Sequence, residues 1–271
     1  VDFSSRGWTH DGRIKPDVLA PGMWVVSAAT NRVVPGPSCS NAQSSGTSMA
    51  APTAAGLAAL VRQYFTDGFY PAGFARPGDA FEPSAALVKA VLIASAVDLS
   101  TMGCPHQPIP SREQGWGLIQ LDTALAFSGD DHRLLVDDHR EGFSASADEP
   151  VSLTIAVTES GPLKVVLVWT DAPSSSLAET NLVNDLDLTV SGPEGAFHGN
   201  VIQAGASIPG GFPDRINNVE VVLLPEADKG LWTVEVSPQA IAAPEQDYAL
   251  VITGPVRLED GPRQPSGRVT P

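Results

Sequence analysis

The second half of this 271-residue chain is a series of short segments in which apolar and polar residues alternate. Each segment is bounded by Gly, Pro, Asn or Asp, and no helix-length pattern interrupts the series. Short alternating segments at regular intervals are typical of antiparallel sandwiches and jelly rolls. They therefore predict an all-β domain over residues 134–256. The segments are VSLTIAVTE, LKVVLVWTD, DLDLTVSG, NNVEVVLLP, GLWTVEVSP and DYALVITGP.

Residues 1–128 have a different sequence pattern, in which loops alternate with helical segments. Residues 48–65 place apolar side chains at helical spacing, which predicts a helix. Pro52 is expected in its first turn, where the missing N–H costs little. A second apolar pattern predicts a helix that begins at residue 83 or 84. The short segments KPDVLAPG and WVVSAA are predicted as strands, and residues 257–271 as a disordered tail.

The charge of the chain limits its partners. Against 31 acidic residues stand only 16 Lys and Arg, for a net charge of -15. We therefore expect no nucleic-acid partner and no anionic membrane surface. No apolar run approaches the roughly 20 residues that a membrane helix needs.

The two cysteines, Cys39 and Cys104, lie in loops rich in Pro, Gly and Ser. A disulfide between them would suit an exported protein. Two buried free thiols are the alternative. Because both cysteines lie in such loops, we predict the disulfide.

Ser48 lies where the helical pattern of residues 48–65 begins, directly after Gly46 and Thr47. Ser and Thr are common helix caps, so a structural role is the ordinary interpretation. A catalytic role also has a physical basis. Unpaired N–H groups and the positive dipole end at a helix start can stabilise the oxyanion that forms when a hydroxyl attacks a carbonyl. Gly46 would let a substrate backbone come close.

Three segments resemble those of the subtilisin-like serine proteases, the subtilases. GTSMAAP at residues 46–52 resembles the nucleophile motif of that family. GRIKPDVLAPG at 12–22 and FSSRG at 3–7 resemble the blocks that precede it. The G-x-S-x-G elbow of α/β-hydrolases does not fit, since Ala stands two residues after Ser48. The resemblance implies that Ser48 is the nucleophile and that Gly46 and Thr47 belong to the backbone region that binds the oxyanion.

The resemblance extends to about residue 254, through segments similar to those of a subtilase branch with a C-terminal β-sandwich. It implies an α/β fold for residues 1–128, as the C-terminal half of a subtilisin-like catalytic domain. An all-β sandwich or jelly-roll domain, similar to the P-domains of proprotein convertases, would follow at 134–256. It also implies a secreted, monomeric protein that acts on protein or peptide substrates.

The partners of Ser48 are not recognisable in the sequence. In subtilases the order is Asp, His, Ser, so both partners should precede the serine. His10 is the only histidine before Ser48, and its context THDGR does not match the family pattern. His198 and Asp122 follow the serine and are rejected as well. We therefore expect the chain to be a C-terminal fragment that is inactive alone, from a parent that is a serine endopeptidase.

The segment NLVNDLDLTV places Asp185 and Asp187 on the face opposite its apolar residues. This is either an ordinary solvated polar face or part of a cation site. In the second interpretation Asp185, Asp187 and Asp171 supply oxygen ligands to Ca²⁺. Members of the subtilase branch bind calcium, which the resemblance extends to this chain as a structural ion.

A rival interpretation keeps the subtilase fold but assigns the chain no catalytic activity. In that case the chain is a degenerate subtilase whose sandwich binds protein or glycan. A third possibility is that the β region acts mainly as a clamp that stabilises the first part.

Overall fold

The structure is a computed structural model that describes residues 1–29, 40–103, 107–175 and 177–259. β-Strands are the main regular structure of these residues, which also form two α-helices. The elements are β1 (Val25–Ala29), β2 (Ser40–Ser44), α1 (Thr47–Thr66), α2 (Ala85–Ala94), β3 (Ala96–Val97), β4 (Leu118–Ile119), β5 (Arg133–Phe143), β6 (Val151–Val157), β7 (Gly161–Val168), β8 (Asn184–Gly192), β9 (Gly195–His198), β10 (Ile202–Gln203), β11 (Ala206–Ser207), β12 (Val219–Ala227), β13 (Gly230–Ile241), β14 (Gln246–Gly254) and β15 (Val256–Leu258).

Helix α1 confirms the helix predicted over residues 48–65, and its fully buried residues lie only at its C-terminal end. Its buried residues are Val61, Tyr64 and Phe65. The earlier turns, rich in Ala, are half-buried or exposed. The expectation for Pro52 is wrong, because it is the sixth residue of the helix. At that position Pro removes the N–H that would bond to the carbonyl of Ser48, four residues earlier.

Helix α2 is the packing centre of the first part of the chain. Its cap is Ser84, whose hydroxyl accepts a hydrogen bond from the N–H of Leu87 at 2.9 Å, as predicted for a helix that begins here. Both ends of α2 are also held by charged side chains from the β region. Asp138 on β5 accepts from the N–H of Ser84 at 2.9 Å, and Lys164 on β7 donates to the carbonyls of Ala94 and Ala96 at 2.9 and 2.7 Å. A carboxylate at the N-terminus and an ammonium at the C-terminus both suit the helix dipole.

Two antiparallel sheets pack face to face in the β region. One has the strand order β12-β7-β14-β5, and the other has the order β15-β6-β13-β8-β9. Their facing side chains form one buried cluster, which includes Leu167 and Ile252 from the first sheet and Leu188, Trp232 and Val234 from the second. The six alternating segments of the sequence lie in β6, β7, β8, β12, β13 and β14, so their prediction as strands is confirmed.

The outer face of the four-stranded sheet is buried as well. Val166, Val168 and Val251 point away from the second sheet and pack in one cluster with Leu87 and Val91 of α2. Strands that are buried on both faces need apolar side chains at consecutive positions, which explains the run Leu163 to Val168 around Lys164. The helices and the β region therefore share a continuous core.

Three expectations about the architecture change. The strand expected in KPDVLAPG is wrong, because the segment makes only an isolated bridge between Leu19 and Leu118. The tail expected from residue 257 is wrong for its first residues, since Arg257 and Leu258 belong to β15 and pair with β6. Residues 260–271 lie outside the described residues. The described part of residues 1–128 holds the two helices and the two-stranded antiparallel pairs β1-β2 and β3-β4, so the α/β expectation is met only in part.

Neither described helix is long and apolar enough to cross a membrane.

Candidate active site

The turn before α1 lacks the feature that a capping serine would provide. Gly46 is the N-cap residue, with φ of 154°, a conformation that favours glycine. No side chain caps α1, in contrast to the hydrogen bond that Ser84 makes at the start of α2. The capping interpretation of Ser48 therefore has no support in the geometry.

Ser48 is the second residue of α1 and is exposed. Its Oγ makes no hydrogen bond with any residue that the structure describes. The backbone N–H groups of Thr47 and Ser48 likewise have no acceptor in the described part of the chain. The first turn of α1 contains no acidic residue. An exposed hydroxyl thus lies at the positive end of a 20-residue helix, beside two backbone donors that are free to bind an oxyanion.

The two residues predicted to bind the oxyanion, Gly46 and Thr47, differ in whether their backbone N–H is free. The N–H of Gly46 donates to the carbonyl of Gly22 at 2.8 Å, so it is occupied. The carbonyl of Gly46 accepts from Met49 and Ala50 at 3.0 and 3.3 Å. Of the two predicted residues, Thr47 is therefore the one with a free backbone donor.

The three sequence segments that resemble subtilase blocks lie together in space. A Cβ placed on Gly22 would lie 2.7 Å from the carbonyl oxygen of Gly46 and 2.9 Å from the Cβ of Ala50, so the loop approaches α1 as closely as glycine allows. A cleft of about 290 Å³ opens beside this contact. Its walls include Phe3, Met23, Thr47 and Ala50. Residues 3–7, 12–22 and 46–52 therefore surround one site.

The described residues bring no general base to Ser48. His10 is exposed in a turn and Asp122 lies in a short 3-10 helix. The Nδ1 of His198 lies 3.2 Å from the hydroxyl of Thr189, in the β region. None of these three residues makes a described hydrogen bond to Ser48.

The carboxylates predicted to bind calcium do not assemble into a metal centre. Asp171 accepts from the N–H groups of Val183 and Asn184 at 2.7 and 2.8 Å, which occupies both of its oxygens. Asp185 and Asp187 are buried and face Arg215 instead. Within the described ranges, no group of three or more His, Cys, Asp or Glu side chains could hold a metal ion. The solvated-face interpretation also fails, because both aspartates are less than 10% exposed.

Cys39 and Cys104 lie outside the described residues, so their disulfide stays a prediction.

Sequence reasoning missed several buried ionisable groups. Glu220 is fully buried, and burial raises its pKa well above the ordinary value. Burial also raises the pKa of Asp137 to about 7 and lowers that of Lys164 to about 8. No sequence pattern predicted the roles of Asp137 and Arg215. Asp137 interrupts an apolar strand, and Arg215 lies in a loop. The apolar neighbours on either side of Glu220 and Lys164 were the only clue.

A family model described as "Subtilase family" matches residues 1–117. Among curated proteins, "Serine protease/ABC transporter B family protein tagD" of Dictyostelium discoideum is 32% identical over 82% of this chain, which is 15% of that protein. "C5a peptidase" of Streptococcus pyogenes is 38% identical over 46% of this chain and 9% of its own length. The chain thus spans a small part of the relatives it matches. A solved serine protease of Aeromonas sobria is 17% identical, covers 80% of this chain and 45% of its own, and has a TM-score of 0.22, too low for any argument.

Proposed function

We propose, from the match of residues 1–117 to the subtilase family, that Ser48 is the nucleophile of a serine endopeptidase. The observation that carries the proposal is the exposed hydroxyl of Ser48 at an uncapped helix start, beside the free N–H groups of Thr47 and Ser48. Its substrates would be proteins or peptides. A secreted, monomeric protein is part of the same proposal.

The chemistry follows from this geometry. Ser48 Oγ attacks a peptide carbonyl while a base accepts its proton. The negative charge on the carbonyl oxygen is then stabilised by the backbone donors and by the dipole of α1. The amine leaves with a proton from the protonated base, and water hydrolyses the acyl-enzyme to regenerate the serine.

The base has to come from outside the described residues, since none of them supports Ser48. An unactivated serine is a poor nucleophile, and loss of the catalytic histidine of subtilisin lowers kcat by roughly 10⁶-fold. The family order places the base before the serine, and His10, the only histidine in residues 1–47, does not match the family pattern. We therefore propose that residues 1–271 alone are inactive. Activity would belong to a longer polypeptide that contains them.

Exposed apolar side chains near Ser48 support a missing neighbour. Met23, Trp24 and Val26, in and before β1, are 44, 66 and 60% exposed. Exposed clusters of this kind mark surfaces that contact other protein.

The test is peptide cleavage by the natural polypeptide that contains this chain. A quenched fluorescent peptide library is incubated with the wild type, Ser48→Ala and Ser84→Ala. Ser84 is the matched control because it is a serine at the start of the other helix, α2, where its hydroxyl has a structural role as the cap. We expect Ser48→Ala to lose at least about 10³-fold in kcat/KM, while Ser84→Ala, if folded, keeps most of it. Equal activity of Ser48→Ala and wild type would refute the assignment.

The absence of a base among the described residues favours one alternative, a binding module without activity. The two functions separate in the same assay. A natural polypeptide that folds but cleaves no member of the library, yet retains a protein or glycan on a column, would support the binding module.

A further inference from the structure

The ammonium group of Lys164 lies under the C-terminal end of α2 without an acidic partner. Its Nζ donates to the carbonyl oxygens of Ala94 and Ala96 at 2.9 and 2.7 Å. An ammonium has three N–H donors, so one of them stays available. No carboxylate in the described part of the chain pairs with Lys164, and burial is what lowers its pKa to about 8. A positive charge is therefore held largely away from water, with only backbone dipoles to stabilise it.

The neighbours of Lys164 in the four-stranded sheet share its face. On β14 Thr253 pairs directly with Lys164, and on β12 Leu223 does the same. Side chains paired in this way point to one side of the sheet, with Cβ atoms about 5 Å apart. That side is the outer one, which α2 covers. The hydroxyl of Thr253 is thus next to the side chain of Lys164, and it makes no hydrogen bond with a described residue.

A cavity of about 190 Å³ lies between this face of the sheet and the end of α2. Most of its walls are aliphatic, and these walls come from Ala94, Ala96, Val97, Pro162, Leu163 and Leu223. Lys164 and Thr253 are among the polar residues that line it. The volume is several times the roughly 30 Å³ that one water occupies in the liquid. A small organic molecule therefore fits.

His132, just before β5, also lines the cavity. Its Nε2 is buried and has no hydrogen-bond partner among the described residues. Buried polar atoms nearly always have a partner, so this ring nitrogen needs an explanation. Thr123, in contrast, is satisfied, because its hydroxyl donates to the carbonyl of Ser95 at 2.8 Å. The polar groups left with bonding capacity are thus an ammonium, a hydroxyl and an imidazole, each of which can donate.

We propose that this cavity binds a carboxylate with a short aliphatic chain, with the ammonium of Lys164 as its counter-ion. The carboxylate accepts from Nζ in a charge-assisted hydrogen bond, and Thr253 and His132 supply further donors. The alkyl chain contacts the aliphatic walls, which an inorganic anion would leave without an apolar partner. The proposal does not depend on the peptidase function, since Ser48 takes no part in it.

The experiment is a titration of the isotope-labelled protein with sodium acetate, propionate and butyrate at constant ionic strength, followed by the amide NMR signals. We expect saturable shifts for Lys164, Leu223 and Thr253, with a Kd for butyrate of about 1 mM. Each methylene removed from the ligand should weaken binding about fourfold, because that methylene no longer contacts the aliphatic walls.

Two variants test the polar contacts. Lys164→Met should weaken butyrate binding by at least about tenfold, and Thr253→Val, which keeps the shape of the side chain, by about three- to tenfold. Lys89→Met is the matched control. Lys89 is a half-buried lysine on α2 that pairs with Asp17 at 3.1 Å and does not line this cavity. The control should bind butyrate as the wild type does.

The absence of saturable shifts around the cavity would overturn the proposal. Equal affinity for the three carboxylates would also overturn it, and so would unchanged affinity in Lys164→Met and Thr253→Val. If Lys164→Met does not fold, Thr253→Val and the series of chain lengths decide the proposal. Shifts that are spread over the protein surface and persist in Thr253→Val would indicate nonspecific binding and would contradict it.

Discussion

Asp137 and Asp138 are neighbours on β5 and are expected to respond to the same substitution with opposite signs. The side chain of Asp137 is 3% exposed. Among the described residues, none donates a hydrogen bond to its Oδ1, and its Oδ2 receives only a long one of 3.4 Å from Tyr248. Burial raises its pKa to about 7, Tyr248 opposes the rise, and the charge of Asp138 adds to it. Asp138, in contrast, accepts from Ser84 and Arg140. We predict that Asp137→Asn stabilises the protein in alkaline solution.

The magnitude follows from linkage. A carboxyl whose pKa is higher in the folded state contributes stability that is fully present below its unfolded pKa of 3.8 and is lost as pH rises through about 7. At about 1.36 kcal/mol per pKa unit, the full loss is about 4 kcal/mol. Asn has the same shape and does not ionise. The gain from Asp137→Asn relative to wild type should therefore grow with pH, by about 2 kcal/mol between pH 5.5 and 8.5.

The assay is urea unfolding followed by Trp fluorescence at pH 5.5 and 8.5, both above the isoelectric point of about 4.5. The slope m should be unchanged, so that a shift of midpoint reports stability. Asp138→Asn is the control and should destabilise at both pH values by about 1–3 kcal/mol, because it weakens charge-assisted hydrogen bonds. A gain from Asp137→Asn that is the same at both pH values, or a loss that grows with pH, would refute the reasoning.

Three further predictions concern the ends of the two helices. Ser84→Ala removes the α2 cap and should lower the free energy of unfolding by about 1–2 kcal/mol in urea. Because the pKa of Lys164 is about 8 when folded and 10.5 otherwise, the stability of the wild type relative to Lys164→Met should rise between pH 8 and 10.5, and a flat difference would contradict that burial. Gly22→Ala places a Cβ 2.7 Å from a backbone oxygen and should lower the free energy of unfolding by roughly 1–3 kcal/mol. Gly56→Ala meets no atom within 4 Å and should raise that free energy by up to about 1 kcal/mol. Equal effects of the two substitutions would contradict the close contact at Gly22.

The strands that sequence reasoning found are those whose residues alternate or are uniformly apolar. Strand β5 was missed because Asp137, Asp138, His139 and Arg140 interrupt its apolar start. These residues are stabilised by contacts with Ser84 and with the aromatic ring of Tyr248, far away in the chain. Local pattern cannot anticipate such partners, since tertiary contacts override strand propensity.

In the candidate site too, local sequence pattern predicted some features, while others depend on tertiary contacts. The position of Ser48 at a helix start was predictable, because motif and helical pattern meet there. The alternation in β8 correctly separated Leu186 and Leu188 from Asp185 and Asp187, and the apolar side is in the core. It did not predict that the aspartate side is buried too, because the loop that carries Arg215 covers it. Loop placement depends on the whole fold and leaves no periodic signal.

The central claim is that Ser48 is a nucleophile that needs residues outside this chain, and the most direct test is the site of covalent labelling. The natural polypeptide that contains this chain is treated with a fluorophosphonate, digested, and mapped by mass spectrometry, beside residues 1–271 alone. The account predicts an adduct on the peptide with Ser48 in the polypeptide, none in Ser48→Ala, and none in residues 1–271. Labelling elsewhere with Ser48 unmodified in a polypeptide that cleaves peptides, or full labelling of Ser48 in residues 1–271, would contradict it.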